Sequence, residues 1–147
     1  MKVVILGDLH IGARAANPVM AQRHIAFLTE IMLPYMKDAG ITRLFQMGDV
    51  MDTRKYSNHS ILHTWKTQVF DRLEAESIIC DILLGNHDTP FKDTLTVNGP
   101  SLFLAGYKNI TIHSSQSTIT IDGLNVDLIP WICKDNEDKI MDYMKSS

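Results

Sequence analysis

Three stretches of the chain share one pattern, in which a short run of apolar residues ends in glycine followed by Asp or Asn. They occupy positions 3–8, 44–49 and 81–86. Short continuous apolar runs are typical of strands buried on both faces, as in parallel sheets. A glycine at the end of a strand permits a sharp turn and the close approach of other atoms. The pattern therefore predicts three parallel strands, each ending in a tight turn.

The segments between these runs have the periodicity of amphipathic helices. Apolar residues three or four positions apart form one stripe on each predicted helix: Ile25, Leu28, Met32 and Tyr35 on the first, and Ile61, Trp65, Val69 and Leu73 on the second. Pro34 predicts that the first helix kinks there or ends just before it. Ser57, Asn58 or Ser60 can cap the second helix. Strand–helix–strand alternation predicts right-handed crossovers, so the three turns emerge at one carboxyl edge of the sheet, where α/β proteins bind ligands.

The last third of the chain has a different pattern. Residues that favour β-structure cluster at 110–113, 117–121 and 124–129, and Asp122-Gly123 predicts a hairpin between the last two clusters. Positions 136–145 predict a helix with Ile140, Met141 and Met144 facing inward. The expected fold is a layered α/β sandwich of parallel strands with crossover helices, followed by a β-hairpin, in a single domain.

Composition excludes several classes of protein. Hydrophobic residues make up 45% and charged residues 21% of the 147, as in an ordinary globular domain rather than a disordered chain. The net charge of −3 excludes a strongly basic protein that coats nucleic acid by bulk charge. No apolar run approaches the roughly 18 residues of a membrane span, so no membrane partner is expected. Cys80 and Cys133 stand in apolar surroundings, which favours buried reduced thiols and a cytoplasmic location.

Candidate metal ligands follow the three predicted strands. Asp8 and His10 are two positions apart, so in extended backbone both side chains point the same way. Asp49 follows the second strand and Asn86, His87 and Asp88 follow the third. Carboxylate, imidazole and amide donors without a thiolate suit two Mn²⁺, Fe²⁺ or Zn²⁺ ions better than a structural zinc site. Two such ions can hold both the attacking and the leaving oxygen of a displacement at phosphorus.

These motifs resemble those of the calcineurin-like metallophosphoesterases, which read Asp-x-His, Gly-Asp-x-x-Asp and Gly-Asn-His-Asp/Glu. The matching positions here are 8–10, 48–52 and 85–88. Within that superfamily, the longer phrases at 48–55 and 127–133 look most like the nuclease subunits of T-even phage recombination endonucleases. Those subunits are relatives of the bacterial SbcCD nuclease subunit and of its eukaryotic double-strand-break repair counterpart. The resemblance covers essentially the whole chain.

The resemblance implies a role for each motif residue. Asp8 and His10 would bind the first metal ion, Asp49 would bridge the two ions, and Asn86 would bind the second. The catalytic residues would be His87, acting on the transition state or the leaving oxygen, and Asp88, orienting it; Asp52 would have a supporting part. It further implies Mn²⁺-dependent cleavage of DNA in recombination and repair, and a coiled-coil ATPase as the partner subunit. A phage-encoded chain would act in the cytoplasm of the host cell.

The chain also departs from the family pattern. The family continues with Gly-His and Gly-His-x-His, and no such residues follow here; the remaining histidines are His24, His59, His63 and His113. We therefore expect about half of a binuclear site, on the amino-terminal portion (1–147) of a nuclease domain, and little activity from this chain alone. The chain would be a truncated piece, the first product of a split gene that a second polypeptide completes, or a decayed remnant.

Two alternative functions stay open from the sequence. The same motifs serve phosphatases and cyclic-nucleotide phosphodiesterases, and a remnant could bind a partner without catalysis. Two further features are ambiguous: the cluster Arg54-Lys55-Tyr56 can contact a DNA backbone or form a solvated loop, and Trp131 can belong to the core or to a partner surface.

Overall fold

A four-stranded sheet forms the centre of the protein. The computed structural model describes residues 2–146. The strands are β1 (Val4–Leu6), β2 (Arg43–Gln46), β3 (Ile79–Leu83) and β4 (Ile110–His113), in the order β1-β2-β3-β4. All three pairings are parallel, which confirms the predicted sheet. The fourth strand extends this sheet, whereas the sequence indicated only that 110–113 favours β-structure.

Helices form the connections between the strands. The first crossover contains the short turn α1 (Ala13–Ala16), α2 (Pro18–Ala26), a π-helical segment (Phe27–Met32) and α3 (Leu33–Asp38). The second contains α4 (His59–Trp65), a π-helical segment (Lys66–Phe70) and α5 (Asp71–Ala75). The short helix α6 (Gly99–Phe103) precedes β4. None of the helices in the described part of the chain is long and apolar enough to span a membrane.

The first long helix passes through Pro34 instead of ending before it. Proline cannot donate a backbone hydrogen bond, and its ring collides with the carbonyl four residues earlier in an α-helix. The wider π-helical turn lies immediately before Pro34, where the Leu33 N–H donates to the carbonyl of Leu28, five residues back. The extra residue in that turn shifts the helix phase. Tyr35, predicted to face the core, is therefore exposed, and Met36 is buried in its place.

The second long helix follows its predicted stripe, since Ile61, Trp65, Val69 and Leu73 are all buried. Of the three candidate caps, Asn58 is the one used. Its side-chain oxygen accepts hydrogen bonds from the backbone N–H groups of Ser60 (3.0 Å) and Ile61 (3.1 Å). The cap sets where α4 begins and thus which residues of the stripe meet the sheet.

Replacing this cap provides a test of the local structure. Asn58→Ala leaves two N–H groups of the first turn without a side-chain partner, so the free energy of unfolding should fall by about 1 kcal/mol. Urea denaturation followed by circular dichroism measures the change. Asn58→Ser, which retains a capping oxygen, should recover most of the loss, and equal losses in the two variants would contradict the assignment.

The predicted hairpin is also confirmed, and it forms a third layer. Strands β5 (Ser117–Ile121) and β6 (Leu124–Leu128) pair antiparallel through the turn at Asp122 and Gly123, whose φ angles of 51° and 79° are both positive. The hairpin packs on Phe45 and Leu83 of the sheet. Their neighbours along the strands face the helices instead, because side chains alternate between the faces of a sheet. The layers are thus helices, sheet and hairpin.

Helix α7 (Glu137–Ser146) follows the hairpin, one residue later than predicted. Ile140 is fully buried, as expected, but Met141 and Met144 are exposed, so their predicted inward orientation is wrong. The hydroxyl of Tyr143 donates to the Asp127 carboxylate on β6 at 2.5 Å. This contact places Tyr143 against the hairpin, and both methionines are left in solvent.

Both cysteines are free and buried, as the sequence predicted. Burial raises the pKa of the Cys80 thiol to about 12, with a smaller contribution from the neighbouring Asp81 carboxylate. Cys80 therefore stays protonated at neutral pH and acts as an apolar packing residue.

Beneath the hairpin, the sheet holds a buried polar network that the sequence analysis did not predict. One oxygen of Asp81 accepts from Arg43 Nε at 2.8 Å, and the other lies 2.9 Å from His113 Nε2. His113 Nδ1 lies 2.9 Å from the hydroxyl of Ser117 on the hairpin. The network connects three strands to the hairpin and explains why His113 is buried on β4 rather than near the predicted metal ligands.

Candidate metal centre

The first two strand-end turns are hydrogen-bonded to each other at the carboxyl edge of the sheet. The Met47 N–H donates to the Leu6 carbonyl at 2.9 Å, and the Asp49 carbonyl accepts from the backbone N–H groups of Leu9 and His10 at 3.1 and 3.0 Å. Sheet-like pairing thus continues past the ends of β1 and β2. This pairing fixes the backbone of both turns from which the predicted ligands project.

Gly48 and Gly85 allow the second and third turns to pack backbone to backbone. A Cβ on Gly85 would lie 2.2 Å from Asp49 Oδ1 and 2.3 Å from the Asp49 backbone nitrogen, and one on Gly48 would lie 2.9 Å from the Gly85 nitrogen. Gly48 also has a φ of 100°, which L-residues rarely adopt. Gly7, in the first turn, has open space around it, so the expected close approach is found at two of the three glycines.

Two candidate ligands have a left-handed backbone. The φ angles of His10 and Asp49 are 45° and 52°. Such conformations cost roughly 1–3 kcal/mol and persist where the surrounding structure enforces them. Here the hydrogen bonds between the turns and the close contact with Gly85 enforce them. The backbone is thus strained at two of the four positions whose side chains the sequence assigned to metal.

Asp8, His10 and Asp49 converge on one point. A ligand atom from each of the three lies within 4.8 Å of the other two. His10 Nε2 is 3.6 Å from Asp8 Oδ2, beyond hydrogen-bonding distance but within reach of a shared cation. Asn86 lines the same groove of about 240 Å³ as Asp8 and Asp49. The fold thus brings together all four residues that the sequence assigned to metal.

His87 lies beside this cluster, with its ring centroid 5.0 Å from that of His10 and the two rings nearly perpendicular. Its backbone N–H donates to Asp49 Oδ1 at 2.8 Å, and its Nδ1 lies 2.7 Å from the backbone carbonyl of Asp52. Because a carbonyl can only accept, Nδ1 carries the hydrogen and Nε2 is the basic nitrogen of the neutral ring. The group that orients His87 is therefore the Asp52 carbonyl and not, as predicted, the Asp88 carboxylate.

Asp88 has a different role in the structure. Its side chain is buried, and its two oxygens accept from the backbone N–H groups of Met51 (2.9 Å) and Gly85 (2.8 Å). Burial raises the pKa of this carboxyl to about 6, although the two hydrogen bonds act in the opposite direction. Asp88 connects the second turn to the third and so holds the groove in shape.

Gln46 organises the site but was not identified from the sequence. Its side-chain nitrogen donates to the carbonyls of Gly7 (3.1 Å) and Gly48 (2.7 Å), and its oxygen accepts from the Gly48 N–H (3.0 Å). The signal was present, because a glutamine at the end of a buried apolar strand needs partners. Gln46 uses three of its hydrogen-bonding positions to fix the first two turns.

The donor set fits one divalent ion better than two. Asp8, His10 and Asp49 supply oxygen and nitrogen ligands without sulfur, and His10 Nδ1 is buried without a hydrogen-bond partner. For a second ion, residues 2–146 offer Asp49 and Asn86 in the groove, and they contain no other cluster of three acidic, histidine or cysteine ligands. Among the other histidines, His113 is buried under the hairpin and His59 and His63 are exposed on α4. His24 lines a small cavity that His10 also lines.

Comparison with known proteins agrees with the resemblance seen in the motifs. No family model matches the chain. Over all 147 residues the chain is 31% identical to exonuclease subunit 1 of Enterobacteria phage T4, and it spans 43% of the length of that relative. The predicted resemblance to a T-even phage nuclease subunit is thereby confirmed along the whole chain.

Proposed function

We propose that this chain is the amino-terminal portion of a metal-dependent nuclease domain that hydrolyses DNA phosphodiesters in phage recombination and repair. The observation that carries the proposal is the convergence of Asp8, His10 and Asp49 within 4.8 Å at the carboxyl edge of a parallel sheet. The similarity to a phage exonuclease subunit supports DNA as the substrate. The layered arrangement of helices, sheet and hairpin is compatible with a metallophosphoesterase fold.

The metal ions would be held by residues in the groove and by the neighbouring His10. Asp8 and His10 would bind the first ion, Asn86 the second, and Asp49 both; we propose Mn²⁺, which accepts this mixture of oxygen and nitrogen donors. Bound there, the ions would supply Lewis-acid stabilisation of the phosphoryl oxygens and a water of lowered pKa. Two ions also bring more positive charge than the two carboxylates cancel, which favours a phosphate in the groove.

The protein residues would orient the substrate and transfer the proton. The tautomer of His87 leaves Nε2 available beside His10, where it would stabilise developing charge or protonate the leaving oxygen. The Asp52 carbonyl fixes that ring, and Asp88 holds the turn that carries it. Asp88 contributes to catalysis by positioning the turn that carries His87, since its oxygens bond to backbone groups.

The second half of the site would come from elsewhere. Because the described residues provide only Asp49 and Asn86 for the second ion, we propose that a segment equivalent to the rest of the phage relative, on this chain or on a second polypeptide, supplies the missing imidazoles. A coiled-coil ATPase would be the partner subunit of the assembled enzyme. The same shortage of ligands favours a second candidate function, a non-catalytic module that keeps the fold and binds these partners.

Hydrolysis assays distinguish the candidates. The chain should cleave linear duplex DNA weakly or not at all with Mn²⁺ alone, and clearly after addition of the carboxyl-terminal part of the relative. A small chromogenic phosphate ester should be the poorer substrate. Preference for the ester would indicate a phosphatase. Absence of both Mn²⁺ binding and hydrolysis, with retained binding to the added polypeptide, would indicate the binding module.

A further inference from the structure

The geometry points to Arg54, held on the face of the Trp131 indole, as the residue that binds the phosphodiester backbone of DNA at the edge of the metal groove. The inference rests on the proposed nuclease function and specifies how this site recognises its substrate. The Arg54 guanidinium carbon lies 5.8 Å from the centroid of the Trp131 ring. At that distance a guanidinium is attracted to an indole face.

Trp131 is part of the groove wall. It lines the groove together with Asp8, Asp49 and Asn86. Its backbone N–H donates to the Leu84 carbonyl at 2.8 Å, directly before Gly85, and its carbonyl accepts from Asn136 Nδ2 at 3.0 Å. The indole is also partly buried against apolar residues. Tertiary contacts thus return the chain after β6 to the carboxyl edge of the sheet and fix the indole there.

Arg54 retains its capacity to bind an anion. It is half-buried in the loop two residues after Asp52, and no hydrogen bond or ion pair within residues 2–146 involves its guanidinium. A planar guanidinium can donate two parallel hydrogen bonds to phosphate oxygens, and attraction to an indole face favours particular orientations of it. An arginine that is oriented but unpaired, at the edge of a candidate phosphodiesterase groove, has the chemistry to bind a backbone phosphate.

The placement also bears on the choice of substrate. The groove and its surroundings carry the carboxylates of Asp8, Asp49 and Asp52, which repel a polyanion unless cations are bound. Arg54 adds positive charge beside the ligands rather than among them. A substrate with phosphates on both sides of the scissile bond can contact the ions and Arg54 together, whereas a monoester offers a single phosphate.

DNA binding measured by fluorescence anisotropy tests this inference. The probe is a short fluorescein-labelled duplex, titrated with the chain at several salt concentrations in Ca²⁺, and again without divalent ions. Arg54→Gln should weaken DNA binding about tenfold. It should also reduce the slope of the logarithm of the binding constant against the logarithm of the salt concentration by about one in magnitude. Arg54→Lys keeps the charge, so it should preserve the salt dependence yet still weaken binding, because an ammonium group cannot donate in two-pronged geometry.

Arg23→Gln is the matched control, since it removes the same charge from an exposed position on α2. It should leave DNA binding unchanged. Equal binding by the Arg54→Lys variant and the unaltered chain, equal losses for Arg54→Gln and Arg23→Gln, or no DNA binding by the unaltered chain would each overturn the inference. Mn²⁺ binding by calorimetry should be the same in every variant. If the unaltered chain does not bind Mn²⁺, the proposed function is contradicted. DNA binding that depends on Arg54 would still support the inference in that case.

Discussion

Asp49→Asn should abolish most Mn²⁺ binding while leaving the fold intact. The substitution removes the negative charge that we assign to both ions but retains an oxygen able to accept the His87 N–H, now bonded at 2.8 Å. Asparagine also tolerates the left-handed backbone that this position requires, with φ of 52°. The effects on charge and on folding are thus separated in one variant.

The expected loss of Mn²⁺ affinity is roughly 100-fold or more. Changing a residue that only hydrogen-bonds to a metal ligand already costs about 10–100-fold in affinity, and Asp49 is assigned as a ligand itself. Isothermal titration calorimetry gives the affinity, and thermal unfolding followed by circular dichroism reports the fold. Asp38→Asn, at an exposed position at the end of α3, is the matched control and should change neither quantity. Equal Mn²⁺ affinity in the Asp49→Asn variant and the unaltered chain would disprove the metal assignment.

Gly85→Ala should destabilise the protein by about 3 kcal/mol and distort the metal site. The new methyl carbon would lie 2.2 Å from Asp49 Oδ1 and 2.3 Å from the Asp49 backbone nitrogen. A side chain could rotate away, but the Asp49 backbone is held by the hydrogen bonds that its carbonyl accepts from Leu9 and His10, so the second and third turns must separate. Overpacking of this kind typically costs 1–3 kcal/mol, and here the contact is with backbone.

Gly7→Ala is the matched control, because Gly7 has the same place in the first motif but nothing lies within 4 Å of the point that its new methyl carbon would occupy. It should leave stability within about 0.5 kcal/mol, as surface substitutions usually do. Urea denaturation measures both variants. If Gly85→Ala is no more destabilising than Gly7→Ala, then the second and third turns do not pack as closely as the structure indicates.

The buried positions of the two long helices were largely predictable because their signals are local. The stripe on the second helix follows from residues three or four apart, and all four of its apolar members are buried. The same reasoning failed at Tyr35, where a π-helical turn before Pro34 adds a residue and shifts the phase. It failed again at Met141 and Met144, because Tyr143 on the same helix contacts Asp127 on the hairpin. Neither the π-helical turn nor the contact between Tyr143 and Asp127 can be predicted from the spacing of apolar residues along a helix.

In the candidate metal site, too, some residues were predictable from the sequence and others were not. Asp8, His10, Asp49 and Asn86 were identified from three short motifs, since residues at the ends of neighbouring parallel strands must meet at one edge. The supporting groups were not. Gln46 joins two turns, the Asp52 carbonyl orients His87, and Asp88 bonds to the backbone rather than to the imidazole. Hydrogen bonds to backbone groups cannot be identified from a motif, because almost any residue type supplies a backbone N–H and carbonyl.

The sequence by itself determined the first three parallel strands with their helical connections, the hairpin at Asp122-Gly123, and the residues that gather at the carboxyl edge. Each depends on short-range periodicity or turn chemistry, which residue order encodes directly. Only the tertiary structure decided the network around Asp81, the partner of His87, and the position of Arg54 on Trp131. These contacts join residues 32 to 77 positions apart, and their geometry depends on how the layers pack, which no local pattern contains.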